Sequence, residues 1–256
     1  MSDTILLQRD GALARLTFNR PASLNAMDFE MGTRWRDLAH ELTGDDTVGV
    51  IVLDAAGPAF CAGGDVVQMA TSGGSGGTIT EMAGVIHDGI RTFVESSIPM
   101  VAAVQGAVAG GGLGLMLTAD YIVASPRAVF VSKYANIGLT PDLGVSTLLP
   151  AAIGQRRALQ LLLSDTTIDA STALEWGLVA EVVDQPGERA EQIARVWLDG
   201  ATGAFGQAKR LVRTGAHRSF ADNLDDEARR IGAAFDTADS KARVAAFAAA
   251  SRSRRS

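Results

Sequence analysis

An α/β fold is expected from three observations. Short β-prone runs alternate with helical periodicity as far as about Pro141, two glycine-rich turns each join an apolar strand to a helix, and nearly everything from Gln155 onward is patterned as helix. Ala14 to Phe18 and Gly49 to Leu53 read as the first two strands. Between them Met31, Trp35, Leu38, Ala39 and Leu42 recur at helical spacing over Asp28 to Leu42. A turn-rich stretch, Ala56 to Gly64, leads to a Gly/Ser/Thr loop at Thr71 to Gly77. Thr78-x-x-Glu81 then has the form of a capping box opening a helix that runs to about Val94, with Ile79, Met82, Ile86, Ile90 and Phe93 on one face. Met100 to Gln105 is a continuous apolar strand, followed by a glycine cluster, a short helix to Ala119 and a strand at Tyr121 to Ala124. Ser96 to Ala119 carries no ionisable side chain and is about long enough to span a bilayer. Pro99 and the glycines would break a membrane helix there, so a buried strand, loop and short helix is expected instead.

Further helices are expected at Ala158 to Leu163, Asp169 to Trp176 with Gly177 as the stop, Arg189 to Leu198, Phe205 to Val212, Asp222 to Phe235 and Ser240 to Ala250. Val179 to Val183 is the one strand among them. No Pro-rich or charged linker divides the chain, so one α/β domain with a helical C-terminal extension is expected, residues 1–190 forming the core and residues 191–256 a helical region packed on it. The terminal Ser-Arg-Ser-Arg-Arg-Ser reads as a frayed tail.

Lys+Arg 23 against Asp+Glu 29 gives a net charge of −6, which disfavours nucleic acid as a partner. A hydrophobic content of 47% is enough for a sizeable core, and 28 glycines in 256 residues exceed the typical ~7%. Cys61 is the single cysteine, which forbids an intrachain disulfide and a multi-thiolate zinc site. The N-terminus lacks the basic leader and apolar core of a secretion signal, so a cytoplasmic, membrane-free protein is expected. His40, His87 and His217 lack ligand spacing, and no metal motif appears. The glycines around Gly110 do not fit G-x-G-x-x-G, and no G-K-[ST] occurs. Gly73-Gly74-Ser75-Gly76-Gly77 does satisfy G-x-S-x-G, but a nucleophile elbow needs a strand before it, and polar loop precedes this one.

Two glycine-rich turns remain: Phe60-Cys61-Ala62-Gly63-Gly64-Asp65, and Gly106 through Gly110-Gly111-Gly112 to Gly114. Each could point a backbone N–H at one site, and a pair of such donors suits a thioester oxygen as it gains negative charge. Tight turns chosen for packing alone are the alternative.

At these residues the chain resembles the crotonase (enoyl-CoA hydratase/isomerase) superfamily over nearly its whole length. Asn19-Arg20-Pro21 with Leu24-Asn25-Ala26-Met27, then Ala59 to Asp65, Ala109 to Gly112, Ile137-Gly138-Leu139-Thr140-Pro141-Asp142 and Ala173-x-x-Trp176-Gly177-Leu178-Val179 follow that family's order and spacing. The resemblance implies a crotonase-like spiral of ββα units and a helical C-terminal region that packs in a homotrimer or a dimer of trimers. It implies an acyl-CoA thioester as substrate, with coenzyme A part of that substrate and no separate cofactor. The oxyanion donors would be the N–H groups of Gly64 and Gly111, and Leu24, Ala26, Ala62, Asp65 and Val66 would line the path of the CoA adenine and pantetheine.

Two departures sharpen this. Hydratases of the family use two glutamates to hold and activate water, and at the matching positions stand Gly114 and Tyr134, so hydration by that route is not expected. Asp142 stands where dienoyl-CoA and epoxyphenylacetyl-CoA isomerases, and 4-chlorobenzoyl-CoA dehalogenases, are identified as carrying an aspartate. Thr-Pro-Asp-Leu-Gly is also a good turn sequence, so Asp142 as the cap of a helix starting near Gly144 stays open. Tyr134 would hydrogen-bond at the acyl pocket or form an aromatic wall of it. His87, on the helix bordering that pocket, reads as a surface or core histidine, and Cys61 as a small packing residue. The leading expectation is an isomerase that shifts a double bond through a thioester enolate, with Asp142 carrying the proton. Its alternatives are a catalytically silent acyl-CoA-binding homologue and nucleophilic chemistry at Asp142.

Overall fold

Gly11, with φ of +57°, turns the chain between β1 (Ile5–Asp10) and β2 (Leu13–Phe18), which pair antiparallel. In the computed structural model, which describes residues 3–71 and 73–253, every later strand of this sheet runs parallel: β3 (Val50–Ala55), β4 (Met100–Val104), β6 (Tyr121–Ala124) and β9 (Glu181–Val182). The order is β1-β2-β3-β4-β6-β9. A second, smaller sheet, ordered β5-β7-β8, holds β5 (Ala107–Ala109), β7 (Val129–Val131) and β8 (Thr167–Asp169). Successive turns of the chain thus place one strand in each sheet before a helix follows, the ββα spiral expected from the resemblance. The β1 strand was not anticipated, since it is a half-exposed edge whose sequence alternates poorly and whose pairing comes from the hairpin.

The central strands read as unbroken apolar runs because both faces of the sheet are covered. On one face pack α1 (Phe29–Thr43) and α3 (Gly76–Glu95), around Trp35, whose ring centroid lies 5.9 Å from that of Phe18 and 4.8 Å from that of Phe93. On the other, Ala190, Ile193 and Ala194 of α8 (Pro186–Asp199) cover Val50, Val52, Val101 and Val123. Residue 190 therefore falls inside a helix that seals the sheet.

Asp28 caps α1 by accepting from Met31 N–H at 2.8 Å. The capping box of α3 is formed by Ser75 and Thr78 rather than Thr78 and Glu81, so the helix begins three residues earlier than its sequence suggests and takes two glycines into its first turn. Ser75 in G-x-S-x-G is thereby a helix cap with no strand before it. A short helix, α2 (Val66–Thr71), fills the stretch between the turn at Ala56 to Gly64 and the loop expected from Thr71, because Asp65 Oδ1 accepts from Gln68 N–H at 3.0 Å and nucleates it. Ser72 of that loop lies outside the described residues.

Beyond the buried α4 (Gly111–Leu117) come α5 (Val145–Ile153), α6 (Gln155–Leu162) and α7 (Ala170–Trp176), the last capped by Asp169 and stopped by Gly177 at φ +79°. Three helices finish the chain: α9 (Thr202–Gly215), α10 (Phe220–Phe235) and α11 (Ala238–Ser253). Lys209 pins α9 to the core, its buried Nζ donating to Phe93 O at 2.9 Å and Ile98 O at 2.7 Å and pairing with Asp120 at 3.2 Å. Ser251 to Ser253 belong to α11 rather than to a frayed tail; residues 254–256 lie outside the described ones. No helix among the described residues is long and apolar enough to cross a membrane.

Candidate active site

The two glycine turns lie side by side because strand-type hydrogen bonds join them: Cys61 N–H donates to Ala107 O at 3.2 Å and Ala109 N–H to Cys61 O at 2.9 Å. Gly63 has φ of +99°, and a Cβ there would stand 2.9 Å from Ala109 O, so only glycine permits the approach. A third segment locks the first turn from its other side, with Met27 N–H donating to Gly63 O at 2.7 Å and Asp65 N–H to Met27 O at 2.9 Å. Asn25, fully buried at φ +56°, receives Arg20 N–H and donates to Ala56 O and Ala59 O, tying the Leu24-Asn25-Ala26-Met27 segment to the loop before Cys61. Arg20 bridges the same parts, pairing with Asp28 at 2.9 Å and Asp65 at 3.0 Å and donating to Ala26 O. Among the described residues, neither the Gly64 nor the Gly111 N–H donates to another protein group.

These N–H groups border a cavity of about 600 Å³, whose wall is largely apolar. Met27, Met69, Ile79, Met82 and Ile86 line it, with Ala62, Gly64, Val66, Gly111, Tyr134 and Asp142 of the residues expected at a site. Leu24, Ala26 and Asp65 do not line it. Leu24 is exposed and contributes its carbonyl to Ala62 N–H, whereas the Asp65 carboxylate is held below the usual range chiefly by the Gln68 amide, then by Arg20. Ile79 and Met82 sit on the apolar helix face that periodicity marks, and that part of the face meets the cavity. Periodicity reports an apolar surroundings and cannot separate a packed interior from an apolar hole.

Asp142 reaches the far wall on a turn with unusual backbone. Leu143 has φ of +49° and Gly144 φ of +80°, and Gly144 rather than Asp142 is the N-cap of α5, with no side-chain cap bond. The capping alternative is therefore not what this carboxylate does: its Oδ1 accepts the Tyr134 O–H at 2.6 Å. Burial, then the Asp142 charge, pushes the Tyr134 phenol well above its ordinary range, so it remains a donor. Tyr134 thus combines both expected roles, lining the cavity and hydrogen-bonding. Among the described residues Asp142 Oδ2 makes no hydrogen bond. The other ionised groups of the cavity wall are engaged, Asp28 with Arg20 and Lys133 with Asp165.

Gly114, at the position matching the first hydratase glutamate, has no room for any side chain, since a Cβ would stand 1.9 Å from Leu143 O. Leu143 itself fills the space beside Gly111. His87, exposed at the cavity rim, accepts Leu143 N–H on Nε2 at 3.1 Å, a contact that sequence reasoning missed because its partners are 56 positions apart. Cys61 is buried and burial pushes its thiol up to about 12, which suits packing and not nucleophilic attack. No group of three or more metal-ligating side chains occurs among the described residues.

A profile of the enoyl-CoA hydratase/isomerase family matches residues 8–253. The chain is 30% identical over 253 residues to the 1,2-epoxyphenylacetyl-CoA isomerase of Escherichia coli K12, covering 97% of each protein. It is 30% identical over 231 residues to a 4-chlorobenzoyl coenzyme A dehalogenase of an Arthrobacter species, covering 89% of this chain and 84% of that protein. Among solved structures, an enoyl-CoA hydratase from Polaromonas sp. JS666 superposes with a TM-score of 0.89 at 26% identity over 96% of both chains.

Proposed function

The chain belongs to the enoyl-CoA hydratase/isomerase family, and we propose that within it this enzyme shifts a double bond in an enoyl-CoA thioester. The thioester oxygen takes the N–H groups of Gly64 and Gly111, so negative charge that develops there in the enolate meets two fixed donors. Asp142 Oδ2 removes a proton from one carbon and returns it two carbons along, while Tyr134 holds Oδ1. No oxidation occurs and no group beyond the substrate's own coenzyme A is required. Ala62 and Val66 lie against the pantetheine. Leu24, Ala26 and Asp65 shape that path by way of backbone and ion-pair contacts, and toward the surface the adenine would meet Leu24.

The observation that carries this reading is Asp142, among the described residues the cavity carboxylate held by no ion pair and with one oxygen, Oδ2, unbonded. A hydration route through two glutamates has neither: one position is sterically reserved for glycine, and the other is a tyrosine bonded to Asp142. Nucleophilic attack by Asp142 is less well served, because the resulting ester needs a base to activate water, and the lone pair of His87 Nε2 is taken by Leu143 N–H. Association is proposed through α10 and α11, which leave Phe220, Ile231, Phe235 and Phe247 exposed, as a homotrimer or a dimer of trimers.

The test is conversion of β,γ-enoyl-CoA thioesters of several chain lengths to the conjugated α,β isomer, followed by absorbance, with crotonyl-CoA hydration as control. Isomerisation with negligible hydration is expected. Robust hydration dependent on this site would overturn the reading, and tight thioester binding without any turnover would select the silent homologue.

A further inference from the structure

Leu143 joins Asp142 to α5, and its backbone lies in the left-handed region although it carries a side chain. Such a conformation persists only where the surroundings hold it, and it gathers at sites where geometry matters. Two of the holds come from α4. The Leu143 side chain is buried beside Gly111, and its carbonyl lies against Gly114 at a distance that only glycine allows. The third comes from α3, where His87 Nε2 accepts Leu143 N–H at 3.1 Å.

An amide can only donate, so Nε2 must present its lone pair, and the neutral ring then carries its proton on Nδ1. His87 is exposed and adds no core packing, so what it supplies to this turn is an acceptor at a set place. We propose that His87 is a positioning residue for Asp142: by accepting the Leu143 N–H it keeps the Asp142-Leu143-Gly144 turn in the form that leaves one carboxylate oxygen free at the acyl group. Tyr134 fixes the carboxylate itself and His87 fixes the amide that follows it, so the base is held from two elements distant in sequence. The inference deepens the isomerase reading and rests on Asp142 as the acid/base.

The experiment compares wild type, Asp142→Asn, His87→Leu, which has no acceptor, and His87→Gln, whose amide oxygen reaches about as far as Nε2. Each is measured for kcat and KM on a β,γ-enoyl-CoA and for Tm. A loss of roughly 10- to 100-fold in kcat is expected for His87→Leu, with KM and Tm near wild type and with His87→Gln restored to within about threefold, as a displaced catalytic group predicts. Wild-type kcat in His87→Leu while Asp142→Asn is inactive would overturn the positioning role and leave the isomerase reading standing. Equal loss in the Leu and Gln variants would overturn it as well, since the ring and not its acceptor would then be required. A wild type without isomerase activity overturns both. Nitrogen-15 spectra of labelled histidine, assigned by the signal lost in His87→Gln, should show the Nδ1–H tautomer; an Nε2–H ring would contradict the hydrogen bond itself.

Discussion

Asp142→Asn separates catalysis from folding because the change is nearly isosteric at a residue whose bonds are known. Its Oδ1 accepts the Tyr134 O–H at 2.6 Å, a charge-assisted bond that becomes a neutral one to the amide oxygen, at a cost of about 1 kcal/mol. For a domain of this size that corresponds to about 2–4 °C in Tm. No α5 cap is lost, since Gly144 holds that position. Removing a positioned general base costs roughly 10² to 10⁴ in rate, or about 2.7–5.4 kcal/mol of barrier. The assay pairs isomerase kcat/KM with calorimetric titration of a saturated acyl-CoA and a thermal melt. A variant that isomerises at the wild-type rate refutes Asp142 as the base. One that melts more than about 10 °C lower, with activity falling only in step, shows that the Tyr134 bond is structural and that the catalytic assignment is wrong.

Further outcomes are expected. Gly114→Ala should destabilise by about 3 kcal/mol or more, because its Cβ would meet Leu143 O at 1.9 Å, whereas Gly84→Ala, in α3 with nothing within 4 Å, should stabilise by about 0.5–1 kcal/mol; urea titrations of both read the opposite signs. Cys61, with its folded pKa raised from 9.0 to about 12, should resist iodoacetamide in the native state at pH 8. The raised value also means that the protonated thiol supports folding fully below pH 9 and loses that support as pH rises toward 12, so the stability gap between wild type and Cys61→Ala should narrow over that window in denaturant titrations. Light scattering at micromolar concentration should give a multiple of three protomers, and a monomer would leave the exposed Phe220, Ile231, Phe235 and Phe247 without the proposed partner.

Where the local pattern and the tertiary environment agree, the sequence is readable. Met100 to Val104 and Tyr121 to Ala124 are apolar runs because a parallel sheet covered on both faces asks nothing else of them, and Asp169 with Gly177 brackets α7 by backbone rules that need no neighbours. The glycines of the two turns were visible for the same reason: Gly63 at φ +99° and Gly110 at φ +50° need a conformation few other residues adopt. Order along the chain therefore determined the alternation of strands and helices and the places of the two glycine turns, while the spiral form, the pairing of the Gly64 and Gly111 N–H groups and the missing hydratase glutamates were what the family resemblance implied. What Asp142 does was not determined there, because Thr-Pro-Asp-Leu-Gly serves a capping turn and a catalytic loop equally well. The choice lies in contacts made across the fold. Tyr134 arrives from the turn after β7, His87 from α3 and the space beside Gly114 from α4, and each acts on the Asp142 turn only once the sheets have brought those elements together. Periodicity likewise marked Ile79 and Met82 as apolar without saying whether core or cavity would meet them, since a side chain's partner is a property of packing and not of its own chemistry.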